Sequence, residues 1–266
     1  MRTFVFAYDR FESMTTSRLL GDAGVDHVVL CHGGEDRDRF LEAGTIGDTG
    51  EIVATHEPRG LARQRNVALE MLEDGEWALF LVDDLHRFSE LDTYDSEPDE
   101  ILPIDIDNVS SWNARFKNWT DVRRLRDRAI EGSRYCDLVG SHLIGWASSG
   151  NPLFRRRKWA RNVHADGRAW AVKKSDLRFD VNVETIDDYY WTAANIERFG
   201  TVIVNQWILP EARRYTAGGY GSMDDRMEQK IRDCSYLVDR FPGLVHYRAK
   251  KNWPEGSHVV IRAPRG

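Results

Sequence analysis

The chain has 266 residues, with 37 Lys and Arg against 43 Asp and Glu, a formal net charge of −6, 41% apolar and 30% charged residues. That balance excludes a disordered chain, and a chain this long buries about 70–75% of its unfolded surface, so it needs no disulfide or structural metal to fold. A net acidic chain is also a poor candidate for a dedicated nucleic-acid binder, so any contact with DNA has to come from a local basic patch.

Cys31, Cys136 and Cys234 are far apart and form no CxxC pair, which argues against a thiolate zinc site. A reducing, cytoplasmic setting is the expectation. No run of about 18 apolar residues occurs, so no membrane-spanning helix and no membrane partner are expected. The N-terminal MRTFVFAYDRF reaches charge by Asp9 without a small-residue cleavage site, so a signal peptide is not expected.

In chain order, FVFAY (4–8) reads as a buried strand, and Thr15-Thr16-Ser17 opens a short helix that Gly24 closes. HVVLCH (27–32) is a second strand, followed by Gly33-Gly34 and a charged helix. EIVATHE (51–57) is a third strand. Pro58 and Gly60 form a loop before a helix carrying Leu61, Ala62, Arg65, Ala68, Leu69 and Leu72, with Gly75 beyond its end. WALFLVDD (77–84) is a continuous apolar strand that stops in two aspartates. This alternation predicts an α/β fold around a central, mostly parallel sheet covered by helices on both faces.

The second part of the chain is less regular. Residues 89–107 are acidic and read as a surface loop; 108–131 read as an arginine-rich helix; 135–147 read as one or two strands, with a turn at Gly150-Asn151-Pro152. A helix over 185–200 ends at Gly200, TVIVNQWIL (201–209) is a strand, and a last helix lies near 223–240. With no repeat and no clear linker, one domain over 1–266 is expected. Residues 1–90 and 108–266 would be its two halves.

In parallel sheets ligands bind beyond the carboxyl ends of the strands. Asp83 and Asp84 lie there, as do Tyr8, Asp9 and Arg10. Two adjacent carboxylates repel, and a hard divalent cation, Mg²⁺ or Mn²⁺, relieves that repulsion while bridging substrate phosphates. The plain alternative is that Asp84 caps the next turn and Asp83 faces water. Arg63, Arg65 and Asn66 sit at a helix start behind Gly60, a place that favours an anion. Asn66 can bond a uracil-like edge or the strand next door.

A loop of form Gly-x-x-Arg-x-x-Asn, a helix, and a strand ending in Asp-Asp resembles the nucleotide-sugar half of GT-A glycosyltransferases. Val82-Asp83-Asp84-Leu85 departs from the strict Asp-x-Asp of that fold. The wider set of motifs resembles the TET/JBP-associated glycosyltransferases of bacteriophages. It comprises Tyr8-Asp9-Arg10, Thr15-Thr16-x-Arg18-Leu19-Leu20, Gly60-Leu61-x-Arg63-x-x-Asn66, Leu79-Phe80-Leu81-Val82-Asp83-Asp84, Phe179-Asp180, and Glu184-x-x-Asp187-Asp188-Tyr189 followed by Gly200.

That resemblance implies transfer of a sugar, from a UDP-sugar, to the hydroxyl of 5-hydroxymethylcytosine or a related pyrimidine in DNA. It implies Tyr8, Asp9, Arg10, Arg63, Asn66, Asp83 and Asp84 as the nucleotide-sugar site. Asp83 and Asp84 would hold the metal, with His246 as a further ligand and His142 or His258 as alternatives. Asp187, or failing it Asp188, would be the general base; helix-start electrostatics would equally place acids there.

The densest basic patch is Arg155-Arg156-Arg157-Lys158 with Arg161, interleaved with Phe154 and Trp159. Cations neutralise phosphates and aromatic faces stack on bases, so this patch is the DNA-binding candidate, extended by Arg123–Arg128 and Arg213-Arg214. Trp112, Trp146 and Trp159 are cleft candidates, and Gly218–Gly221 reads as a turn or a lid. A transferase for a glycan, protein or small molecule, a nucleotidyltransferase, and an inactive binding module remain open readings.

Overall fold

In the computed structural model, the described residues are 1–55, 59–92, 115–151, 155–212 and 223–263. Strands β1 (Arg2–Phe6), β2 (His27–His32), β3 (Gly50–Thr55) and β4 (Trp77–Val82) alternate with helices α1 (Thr15–Asp22), α2 (Gly33–Ala43) and α3 (Leu61–Glu70). Then come β5 (Leu85–Asp92), β6 (Arg115–Trp119), α4 (Val122–Val139), β7 (Leu143–Trp146), β8 (Trp159–Arg161) and β9 (Ala169–Lys173). The chain continues through α5 (Asp187–Phe199), β10 (Ile203–Asn205), β11 (Ile208–Ala212), α6 (Met223–Arg240), β12 (Val245–Tyr247) and β13 (Val259–Ile261).

The fold is mixed α/β. Its main sheet has the order β3-β2-β1-β4-β9-β7-β10-β8. Pairs β1/β2, β1/β4, β2/β3 and β7/β10 are parallel; β9 and β8 run against their neighbours. β4 pairs with β9 over Trp77–Leu81, so one sheet spans both parts of the chain. A second sheet, β11-β5-β6, and the β12–β13 hairpin lie apart from it.

Successive side chains of a strand point to opposite faces, and here both faces are covered. Phe4, Phe6 and Phe80 pack with α3, α5 and α6 through Ala68, Trp191 and Leu237. Val5, Leu79 and Leu81 pack with α1, α2 and α4 through Leu20, Phe40 and Leu125. Continuous apolar strands are the result, as the sequence predicts.

Several expected elements shift. β1 ends at Phe6, and the chain leaves the sheet where Asp9 takes a left-handed φ of 49°. Residues 89–92, expected in a loop, continue β5; residues 93–114 lie outside the described residues. Residues 115–119, expected in a helix, are β6, because Trp119 stacks on Phe88 of β5 with ring centres 4.5 Å apart. α4 starts later, where the Asp121 carboxylate accepts the Arg123 N–H at 3.0 Å, and runs on to Val139, through residues expected as strand. The strand expected over 201–209 breaks in two because Asn205 Oδ1 accepts the N–H of Trp207 and of Ile208, at 3.1 and 2.9 Å. The expected features at Trp112, Phe154, Arg213-Arg214 and Gly218–Gly221 lie outside the described residues.

Among the described residues no helix is long and apolar enough to cross a membrane. The three cysteines are free and buried.

Candidate functional site at the sheet edge

The carboxyl ends of β1, β2 and β4 form one edge, and the β4–β5 turn is fixed there by a single hydroxyl. Thr16 Oγ1 donates to the Val82 carbonyl at 2.6 Å and accepts the Leu85 N–H at 2.9 Å, while its own N–H donates to the Asp83 carbonyl at 3.1 Å. This clamp holds Asp83 and Asp84 at the strand end. Asp83 is only 3% exposed and Asp84 is buried too. Asp83 Oδ2 accepts the Tyr8 N–H at 3.0 Å. Arg10 Nη1 bridges Asp83 Oδ1 at 2.6 Å and Asp84 Oδ2 at 2.8 Å. Burial nonetheless pushes the Asp83 carboxyl up to about 6, and it raises Asp84 as well, against the pull of Arg10.

Asp9, in its left-handed conformation, pairs with Arg59 at 3.0 Å, and Arg59 also reaches Asp36 at 3.5 Å. Its guanidinium lies 5.9 Å from the Tyr8 ring centre. Arg59 and Asp36 were not singled out from the sequence, although Arg59 sits in the same Pro-Arg-Gly loop. Tyr8, Asp9, Arg10, Asp83 and Asp84 are therefore brought together as expected.

α3 contributes differently from expectation. Gly60 caps it with φ 154° and ψ 133°, a backbone that favours glycine, and the Arg63 side chain passes 3.8 Å from where a Cβ would stand. Arg63 is half-buried in the first turn. Asn66 is not turned to a ligand: its side-chain N–H donates to the Phe179 carbonyl at 2.9 Å and its Oδ1 accepts the Phe179 N–H at 2.8 Å. Arg65, not Asn66, is the buried polar anchor. It ion-pairs with Asp187, donates to the Gly167 carbonyl at 3.2 Å, and lies 4.4 Å from the Trp170 ring centre. Burial lowers its guanidinium to about 9.

This pairing corrects the first choice of general base, because Asp187 is buried and committed to Arg65. Asp188, one residue on, has a different partner, although the charge of Arg65 acts on it too. Its Oδ2 lies 3.1 Å from His164 Nε2, and its Oδ1 accepts the Tyr189 N–H at 2.9 Å. The His164 ring stacks on Tyr189 with centres 3.9 Å apart. Burial works against both charges, yet the pair wins: Asp188 is held below the usual carboxylate range and His164 above the usual imidazole range. His164 carried no signal in the sequence beyond being a lone histidine.

A cavity of about 570 Å³ opens between the β5–β11 sheet and residues 148–150, lined by Arg87, Ser89, Phe116, Ser148, Arg168 and Glu211 among others. Arg87 lies three residues past Asp84, and the Arg168 carbonyl accepts the Val82 N–H at 3.1 Å. Arg168 is itself fixed by Asp166 at 2.6 Å.

The paired aspartates suit a hard cation that is completed by substrate phosphates and water rather than by a protein cage. In this structure Arg10 bridges the two carboxylates where such a cation would sit. His246 does not join them. It sits on β12 with Nε2 3.2 Å from the Gly243 carbonyl, and among the described residues no group of three or more His, Cys, Asp and Glu is arranged around a metal. His142 stacks on Phe199 at 3.8 Å instead.

The basic patch divides. Arg155 is 2% exposed: its guanidinium donates to Ser89 Oγ at 3.0 Å and to the carbonyls of Ser89 and Trp207, and lies 4.4 Å from the Phe116 ring centre. It is a core residue and not a DNA contact, because its guanidinium is used up on Ser89 of β5 and on the Trp207 carbonyl. Arg156, Arg157 and Lys158 are exposed, and Arg161 donates to the Tyr135 hydroxyl at 2.7 Å. Arg123, Arg124 and Arg128 are engaged with Asp121, Glu90 and Glu131. Trp146 is buried in the core. Replacing Arg155 with methionine is expected to cost about 3 kcal/mol, since buried acceptors lose a charged donor, and to leave the salt dependence of any DNA binding unchanged. Urea denaturation and a salt titration check the two halves.

No family model and no curated protein matches the chain. Among solved structures, the crystal structure of HddC from Yersinia pseudotuberculosis is similar at a TM-score of 0.37 with 11% identity, covering 79% of this chain and 93% of that one. A likeness of that degree carries no argument about activity.

Proposed function

We propose that this protein is a GT-A-like glycosyltransferase that moves a sugar from a nucleotide sugar, a UDP-sugar by resemblance, to a hydroxyl of a modified pyrimidine such as 5-hydroxymethylcytosine in DNA. The observation that carries the reading is the pair Asp83–Asp84, buried at the end of a central strand, clamped by Thr16 and bridged by Arg10. A divalent cation, Mn²⁺ or Mg²⁺, held by these two carboxylates would neutralise the leaving diphosphate. Tyr8, Asp9, Arg10 and Arg59 line the nucleoside side of the edge, with Arg63 at the start of α3. The cavity beside Arg87 and Arg168 is the place for the acceptor.

In the transfer itself, the acceptor oxygen bonds to the sugar C1 as the bond from C1 to the diphosphate oxygen breaks. The hydroxyl proton passes to a carboxylate oxygen of Asp188, the second acid of the α5 start, with His164 3.1 Å away to steady it. Arg156, Arg157 and Lys158, all exposed, would meet the DNA backbone.

The test is incubation of the purified chain with hydroxymethylated duplex and a panel of nucleotide sugars, followed by nucleoside mass spectrometry. A sugar-bearing pyrimidine and free nucleoside diphosphate are expected. Pyrophosphate release would instead mark a nucleotidyltransferase, and transfer only to non-DNA hydroxyls would move the acceptor class.

A further inference from the structure

Away from the Asp83–Asp84 pair, two lysine side chains meet one histidine with no carboxylate paired to either among the described residues. Lys230 on α6 and Lys250 beyond β12 place their Nζ atoms 3.4 and 3.5 Å from Nε2 of His258. The same two ammonium groups lie 5.1 and 4.6 Å from the ring centre of Trp253, which meets His258 edge-on at 4.8 Å. The backbone N–H of Arg248, across the β12–β13 hairpin, donates to the His258 carbonyl at 2.9 Å. Trp253 is 37% exposed, and Lys250 and Arg248 are exposed as well, so the cluster opens to solvent.

The hydrogen bonds fix the histidine's tautomer. Ser257 Oγ has one hydrogen and donates it to the Pro254 carbonyl at 2.6 Å. His258 Nδ1, 2.9 Å from the same oxygen, must therefore be the donor to it. The Nε2 lone pair then faces the two lysines. Burial, with Lys230, Lys250 and Arg248 adding their repulsion, holds the ring down to about 4, so it stays neutral at pH 7. Burial followed by Arg and Lys neighbours is the pattern of a site short of negative charge. Among the described residues no ion pair joins Lys230, Lys250 or Arg248 to an acid. Two ammonium groups held within reach of one atom repel each other, and an anion with several oxygens accepts from both.

We propose that Lys230 and Lys250 form a binding site for a phosphoryl group, with His258 and Trp253 holding the two lysines in place. A small phosphorylated ligand and a nucleic-acid backbone both bring that chemistry. The site does not rest on the sugar-transfer reading.

The full chain, with ¹⁵N-labelled histidine, is titrated with inorganic pyrophosphate and, separately, with a short unmodified duplex, while the His258 ring signals are followed by NMR. A saturable shift with pyrophosphate supports a site for a small phosphorylated ligand; a shift with duplex alone supports a backbone contact. In Lys230→Met/Lys250→Met the affinity is expected to fall about tenfold or more, and in Asp83→Asn to stay the same, which separates this site from the sheet edge. Should the double variant misfold, exposed Lys250→Met alone serves. The proposal is overturned if neither probe moves His258 at millimolar concentration, or if the lysine variants bind as the natural protein does.

Discussion

Replacing Asp83 with asparagine is expected to reduce sugar transfer at least about a hundredfold, the scale for a positioned catalytic group, without loss of folding stability at pH 7. The two effects separate because Asp83 is costly to keep ionised. Its carboxyl, raised by burial to about 6, binds a proton more tightly in the folded chain than an unfolded aspartate does at ~3.9. The folded state therefore holds the extra proton between about pH 4 and 6, and the stability that proton confers is lost as pH rises through that window. Above it, the ionised group costs roughly 3 kcal/mol. Asparagine removes that cost and can still accept the Tyr8 N–H, while Arg10 keeps Asp84. Turnover assays and urea melts at pH 5 and pH 7 check both parts. An asparagine variant that transfers sugar normally removes the aspartate pair from the reaction.

Arg65→Leu is expected to destabilise the fold by about 3–5 kcal/mol, the cost of stranding a buried charge. Arg65 is 1% exposed and pairs with Asp187 across the α3–α5 contact, under the ring of Trp170. Removing the arginine leaves the Asp187 carboxylate without its partner in an apolar setting. Arg65→Leu combined with Asp187→Leu should recover part of the loss, because two apolar groups of similar size replace two charges. Denaturation midpoints of the two single variants and the double variant measure the coupling. If Arg65→Leu melts with the natural protein, the ion pair is not what holds α3 to α5.

The site is partly legible in the chain because part of it is local. Asp83-Asp84 follows directly on the most apolar strand: of the strand expected over 77–84, β4 covers Trp77–Val82 and the two aspartates form the turn after it. The same holds for Asp187 at the first position of α5, for the left-handed Gly200 at its end, and for α6 over 223–240. Each of these needs only a period, a cap and a neighbour.

What the sequence by itself determined is the alternation of buried strands and amphipathic helices, and with it the sheet edge where Tyr8, Asp9, Arg10, Asp83 and Asp84 meet. Tertiary structure alone decided how individual polar side chains are used. One helix start carries two acids, and packing sends Asp187 inward to Arg65 while Asp188 pairs with His164. One basic run has its first member under a sheet and the next three in solvent. The Lys230–His258–Lys250 cluster joins a helix to a hairpin. Burial and partnership come from residues distant in the chain, and neither leaves a local period to be read.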